Sequence, residues 1–187
     1  MDLTHCFYPP KMQTRVRLFH FRDINVKSAK IRRLIYGVIR EGLSFIHINK
    51  RNYIDIDGRQ INIYCGSSWW CLSYDCLQFV YNTYKNEKSY ESYFKTALAP
   101  DEMLIQTIIF NSKYSDKAIL YLGEYPGLVT LTPLHYIEYD TKIHTYTEKD
   151  FDKLYNSGKM FFRKCQSGIS DRLIERINKY RLQDEKS

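Results

Sequence analysis

The sequence predicts a mixed α/β fold in a single domain spanning residues 1–187, and three observations carry that expectation. Residues 53–56 and 60–64 alternate in polarity about Asp57-Gly58, a pair favoured in tight turns between strands. Apolar residues recur at helical spacing in several separate runs. In the second half, helix-like and strand-like segments take turns, as in folds that pack helices on a sheet.

In chain order, residues 1–23 read as irregular, with a short strand near 16–21. Ile31, Leu34, Ile35, Val38, Ile39 and Leu43 repeat at helical spacing among Lys27, Lys30, Arg32, Arg33 and Arg40, which predicts a basic amphipathic helix over 26–45. The simpler reading of it is a solvated charged face over a packed stripe. The sharper one is a surface that attracts an anionic acceptor or lipid. The hairpin follows. Asp55 and Asp57 form an Asp-x-Asp pair like the metal motif of many sugar transferases, but strand alternation accounts for Asp55 and the turn for Asp57, so no metal is assigned there.

Gly66-Ser67-Ser68-Trp69-Trp70-Cys71-Leu72-Ser73 comes next, with a strand expected at 69–72. Alternation on that strand would turn one tryptophan to the core and the other to a cleft. Gly66 with its serines would let backbone approach a ligand closely. Helices are expected at 73–86, 101–111, 148–157 and 170–181, and a further strand at 134–139. Thr147 and Asp150 have capping-box spacing at the start of the third helix. In Pro100-Asp101-Glu102 the proline suits a first turn and the acids meet the positive end of the helix dipole. Behind them Met103, Leu104, Thr107, Ile108 and Phe110 read as one buried stripe.

Apolar residues make up 44% of the 187 and aromatics 16%, enough for a sizeable core and against disorder for most of the chain. A net charge of +7 points to an anionic partner: nucleic acid, a membrane surface or a phosphorylated small molecule. The cysteines at 6, 65, 71, 76 and 165 include no C-x-x-C, so structural zinc is not expected and thiols in a reducing compartment are. Neither an apolar leader nor a run of membrane-spanning length is visible, which predicts a soluble chain.

Four blocks in order resemble the C-terminal half of the core-2/I-branching β-1,6-N-acetylglucosaminyltransferase family, which also includes peptide O-xylosyltransferases. They are Gly66 to Ser73, Pro100-Asp101-Glu102 with Thr107, Leu134 to Asp140, and Phe161-Phe162-Arg163-Lys164. The likeness runs from about residue 65 to 177. It implies the C-terminal part of a GT-A-like mixed sheet flanked by helices, without the N-terminal nucleotide-binding unit. It also implies an inverting, metal-independent transfer of GlcNAc or a related sugar from a UDP-sugar to a glycan hydroxyl. Glu102 matches the general base, and Lys164 matches the lysine on the donor diphosphate. Lys142, with His144 as fallback, stands nearest the second basic position, and Arg163 could add charge or pair with Asp150 or Asp152. Ser67, Ser68, Trp69, Trp70 and Asp101 border the sugar and acceptor, and Asp101 would also bond backbone donors at the helix start. Cys165 and Glu138-Tyr139 depart from the family pattern, which carries Phe and Asp-Trp there.

No cofactor is expected beyond the UDP-sugar co-substrate, and no metal. The partners implied are the donor and a glycan or polysaccharide acceptor, with no nucleic acid. Peripheral membrane association, a separate N-terminal half and self-association are further partner expectations. The setting implied is bacterial cytoplasm at the inner membrane face, in surface polysaccharide synthesis, or the Golgi lumen for a eukaryotic fragment. Activity of this chain alone would be weak or absent. Two other readings stay open: a basic nucleic-acid-binding module using the 26–45 helix and the tyrosines, and a truncated, non-catalytic remnant.

Overall fold

The computed structural model describes residues 4–7, 16, 18–20, 28–45, 50–122, 127–132 and 134–184. It is mixed α/β, with its strands in three separate two-stranded sheets among the described residues. Strand β1 (Thr4–Phe7) pairs in parallel with β4 (Ile119–Leu122), in the register Thr4 to Ile119. Strands β2 (Tyr53–Ile56) and β3 (Arg59–Asn62) form the expected antiparallel hairpin. Its turn holds Asp57 at φ 52° and Gly58 at φ 80°, the positive values a two-residue turn of this hand requires. Asp55 Oδ1 accepts the Gly58 N–H at 3.0 Å, so both aspartates serve the turn. Strands β5 (His135–Tyr136) and β6 (Phe161–Phe162) pair in parallel.

Helix α1 (Ala29–Phe45) forms where the apolar period predicts it, while Val26 and Lys27 lie outside the described residues. The stripe itself is not packed. Leu34 is 69% and Phe45 85% exposed, and Ile31 and Val38 are also open, which overturns the reading of a charged face over a buried stripe. The strand expected at 16–21 is absent among the described residues there, since Leu18, Phe19 and His20 have no strand pairing. Arg17 and Phe21 lie outside the described set.

Helix α2 (Tyr74–Asn86) starts at Ser73, whose hydroxyl accepts the Cys76 N–H. Helix α3 (Lys88–Phe94) follows after one residue. The segment expected as one helix at 101–111 is divided. Pro100–Glu102 is a single 3-10 turn, Met103 breaks the helical dihedrals at φ −136°, and α4 (Leu104–Phe110) begins after it. Ala99, at φ 51°, sets the turn apart from the preceding chain. Helix α4 is buried on more than one stripe, because Gln106, Thr107, Ile108 and Ile109 are all enclosed.

One core gathers the hairpin, α2, α3 and α4 through Ile54, Ile61, Ile63, Cys76, Val80, Phe94, Met103 and Ile109. A second is centred on Tyr146, Phe151, Leu154 and Leu173. It is built by strands β5 and β6, α6 (Phe151–Tyr155) and α7 (Asp171–Asp184), with the short helix α5 (Leu128–Leu131) preceding β5 in the chain. A 3-10 turn at Glu148–Asp150 leads into α6, and the Asp150 carboxylate accepts the Thr147 N–H at 2.9 Å, completing the capping box. Ser170 Oγ, fully buried, donates to the Tyr146 carbonyl at 2.6 Å and ties α7 to the same core. No helix of the described residues is long and apolar enough to cross a membrane.

The strand expected at 69–72 does not form. Just before it, from the end of β3 to Ser67, one edge of the backbone is bonded to α4 and the turn that precedes it. Asn111 exchanges two bonds with the Asn62 backbone, accepting its N–H at 3.2 Å and donating to its carbonyl at 2.8 Å. Thr107 Oγ1 accepts from the Tyr64 N–H at 3.1 Å and donates to the Tyr64 carbonyl. Gly66 N–H donates to the Glu102 carbonyl at 2.8 Å, and Gln106 Nε2 donates to the Ser67 carbonyl at 2.6 Å. Thr107→Val keeps the shape but strands both Tyr64 backbone groups, which should cost about 1–3 kcal/mol. Chemical denaturation measures this, and an unshifted midpoint would mean that the ladder contributes nothing.

Candidate active site

The ladder leaves Gly66 to Trp70 against the 3-10 turn that carries Glu102. Ser67 Oγ then accepts the Trp69 N–H at 3.0 Å, closing a tight turn that presents both indoles. Their side chains are half-buried and line one cavity of about 350 Å³ with Ser68, Leu134, His135 and Phe161. Trp70 also packs on the first core. Trp69 lies against His135, ring centroids 4.4 Å apart, and His135 stacks on Phe161 at 5.1 Å. The two tryptophans thus share a cavity instead of dividing between core and cleft.

Parallel pairing of β5 with β6 continues as the Arg163 N–H donating to the Tyr136 carbonyl at 3.1 Å. That register sets the guanidinium carbon 5.1 Å from the centre of the Trp69 ring, within cation–π range. No carboxylate of the described residues pairs with Arg163. Asp152 pairs with Arg176 at 3.4 Å and Asp150 with Lys153 at 3.5 Å, which corrects the alternative pairings expected for Arg163.

The other expected residues fall differently. Glu102 meets the glycine-serine block through the Gly66 N–H, which its carbonyl accepts, and Glu102 is partly shielded. Asp101 is exposed, and no side-chain capping bond forms at the start of its turn, so it lacks the structural role assigned to it. Lys164 is exposed; its N–H donates to the His144 carbonyl and its own carbonyl accepts from Tyr146 N–H. Lys142 and His144 line a second cavity, of about 710 Å³, with Glu138, Asp140 and Gln166. Lys142 therefore belongs to a different opening from Trp69 and Trp70, with two carboxylates on its wall.

Behind that second opening runs a charge network. Lys153 bridges Glu138 at 2.8 Å and Asp150, and Asp150 also lies 3.6 Å from His144 Nε2. Burial alone would push the Asp150 carboxyl up, but its Thr147 bonds and Lys153 outweigh this and hold it below its ordinary value. Burial pushes the Tyr146 phenol up to about 12, so it stays a neutral acceptor of the Glu138 N–H. Among the described residues, no group of three or more His, Cys, Asp or Glu side chains is gathered as metal ligands would be.

Sequence reasoning missed His135, Phe161 and Gln106. The signal for Gln106 was available: a lone amide inside Met-Leu-Ile-Gln-Thr-Ile-Ile-Phe is either exposed or bonded, and here it is fully enclosed. His135 needed the β5–β6 register, which its own neighbours do not specify. No family model matches this chain, and no curated protein does.

His135 has its pKa lowered, first by burial and then by the Arg163 charge, so its ring is neutral near pH 7. Arg163→Gln should raise the His135 titration midpoint, read from imidazole proton shifts. An unmoved midpoint would show that the guanidinium does not act on the ring.

Proposed function

We propose that this chain is a glycosyltransferase unit that moves GlcNAc or a related sugar from a UDP-sugar to a glycan hydroxyl with inversion. The observation that carries the reading is the convergence of three resembling blocks, separated in sequence, on one cavity: Ser68 to Trp70, Leu134 with His135, and Phe161, with Arg163 over the Trp69 ring and the Glu102 turn joined to the first block through the Gly66 N–H. Aromatic walls with the Arg163 guanidinium over one of them suit a sugar nucleotide better than a nucleic acid. Stacking on bases would ask for a row of open aromatic faces along a basic groove.

In the proposed step the acceptor oxygen attacks the anomeric carbon from the face opposite the donor diphosphate. Glu102 takes the hydroxyl proton as that bond forms. The bond from anomeric carbon to diphosphate oxygen breaks, and its electron pair leaves on UDP, where Arg163 and Lys164 offset the growing charge. The Trp69 ring is already engaged by His135 and Arg163, so Trp70 is the better platform for the sugar ring. The GT-A class of sheet belongs to this proposal, as do the metal-independent mechanism and a role in surface polysaccharide synthesis. Attachment to the anionic inner face of a bacterial membrane through α1 belongs to it too. There, exposed Leu34, Val38 and Phe45 accompany Lys30 and Arg33, as in helices that lie in a membrane interface.

Glu102→Gln should lower sugar transfer by about 10²–10⁴-fold while UDP affinity changes little, the scale of a lost general base. Arg163→Gln and Lys164→Met should instead weaken UDP binding, followed by calorimetry. Undiminished transfer in the Glu102 variant removes the proposed base. UDP affinity indifferent to both cation variants removes the proposed diphosphate site.

A further inference from the structure

On the far side of the hairpin from its turn, Lys50 is a buried cation without a buried anion. It is 8% exposed, and its ammonium donates to the Tyr93 carbonyl at 2.5 Å. It also lies 4.1 Å from the centre of the Tyr93 ring and 5.8 Å from that of Phe19. No carboxylate of the described residues forms an ion pair with it, and two of its three N–H donors have no acceptor there. A charge in that position costs free energy unless something completes its shell.

Lys50 opens on a cavity of about 630 Å³ whose wall includes Arg51 and Lys88, with the hydroxyl residues Ser89 and Ser92. Among the described residues Asp55 is the one carboxylate on that wall, and one of its oxygens is held by the Gly58 N–H. Tyr93 braces the rear of the site, its hydroxyl donating to the Arg51 carbonyl at 2.6 Å. Three cations against one partly committed carboxylate, with hydroxyl donors between them, suit a compact multivalent anion. The volume is that of a site for a small organic ligand.

We infer that the cavity between Lys50, Arg51 and Lys88 is a binding site for a phosphate group carried on a small sugar or lipid headgroup. It shares no lining residue with the cavity at Trp69 and Trp70, so it stands apart from the proposed transfer site. Lys50 supplies the buried point charge, Arg51 a fork of donors, and Lys88 an outer charge that now reaches Glu91 at 3.4 Å. Phosphate binding would satisfy the ammonium donors that the described residues leave open.

The geometry carries a pH signature. Burial lowers the Lys50 pKa to about 8, and the charged and titratable groups that share its cavity are Arg51, Lys88, Asp55, Tyr53 and Tyr93 among the described residues. The anion needs the ammonium form. Affinity should therefore be full below about pH 8 and fall as pH rises through that value, while bound phosphate should move the Lys50 midpoint upward.

The test titrates the full chain with glucose 1-phosphate, and separately with phosphatidylcholine vesicles carrying phosphatidic acid. Lys50→Met should weaken binding by about tenfold or more, on the scale of a lost charge-assisted hydrogen bond. Because Lys50→Met also alters the packing of Tyr93, exposed Arg51→Gln and Lys88→Gln serve as variants that keep the fold, and each should weaken binding severalfold. Saturable, substitution-sensitive binding of the soluble probe assigns a free sugar phosphate. The same behaviour seen only with vesicles assigns a lipid-borne phosphate. Binding of neither probe, or binding indifferent to all three substitutions and to pH between about 7 and 9, overturns the site.

Discussion

The pairing of an extended segment with the side chains of a helix is the constraint on which the candidate site depends. Residues 62, 64 and 66 meet residues 111, 107 and 102 in antiparallel order. The match is metrical. Two residues of extended chain advance about 6.6 Å, and four residues of helix about 6 Å. A helix offering a polar side chain every fourth residue can therefore satisfy every second backbone position of a neighbouring extended segment. Asn111 and Thr107 do so with both a donor and an acceptor, replacing the missing strand. At the next step, where α4 gives way to the 3-10 turn, the Glu102 carbonyl takes over. The general-base candidate and the glycine-serine block are thus fixed to each other by backbone geometry.

The opposite wall of the cavity comes from the second core and is held by different means. Tyr146 is fully buried, receives the Ser170 hydroxyl at its carbonyl, and accepts the Glu138 N–H at its phenol. These contacts fix the 134–146 segment against β6 and hence the height of Arg163 over Trp69. The two cores meet through a stack of three rings, Trp69, His135 and Phe161. Arg163 carries its charge at that seam with no carboxylate of the described residues to quench it. Lys142, by contrast, sits on a wall with Glu138 and Asp140. A leaving diphosphate would be better served by the unopposed guanidinium, which is why Arg163 ranks above Lys142 here.

Features set by local chemistry were legible from the sequence. The Asp57-Gly58 turn and the Thr147–Asp150 box each depend on residues within four positions of one another, and each formed as read. Features set by distant partners were not. The strand expected at 69–72 did not form, and the segment before it is bonded to side chains some 40 residues away, which no alternation pattern encodes. The α1 period gave the helix, but periodicity says only that one face is apolar, not that anything covers it. Ser68, Trp69 and Trp70 line one cavity, although alternation had assigned one tryptophan to the core, whereas Asp101 and Lys142 were assigned from position in a motif and are not on its wall.

Two unsatisfied atoms bear on what the cavity does. Among the described residues, the buried side-chain atoms without a hydrogen-bond partner are Gln106 Oε1 and His135 Nδ1. Each such group costs about 1–3 kcal/mol when left unpaired, so neither is there for stability. Both belong to residues that touch the Ser67–Trp70 loop, Gln106 through the Ser67 carbonyl and His135 through the Trp69 ring. Stability alone would replace Gln106 with Met or Leu at similar volume and let Ser67 turn to water. His135 lines the cavity beside Trp69, whereas Gln106 is fully enclosed on α4, so of the two orphaned atoms the imidazole nitrogen is the one that belongs to a cavity residue. A cavity that took a hydroxyl-rich ligand would gain from a neutral imidazole on its wall, because a hydroxyl group could complete it, while the Gln106 amide is spent on fixing the Ser67 carbonyl behind that wall.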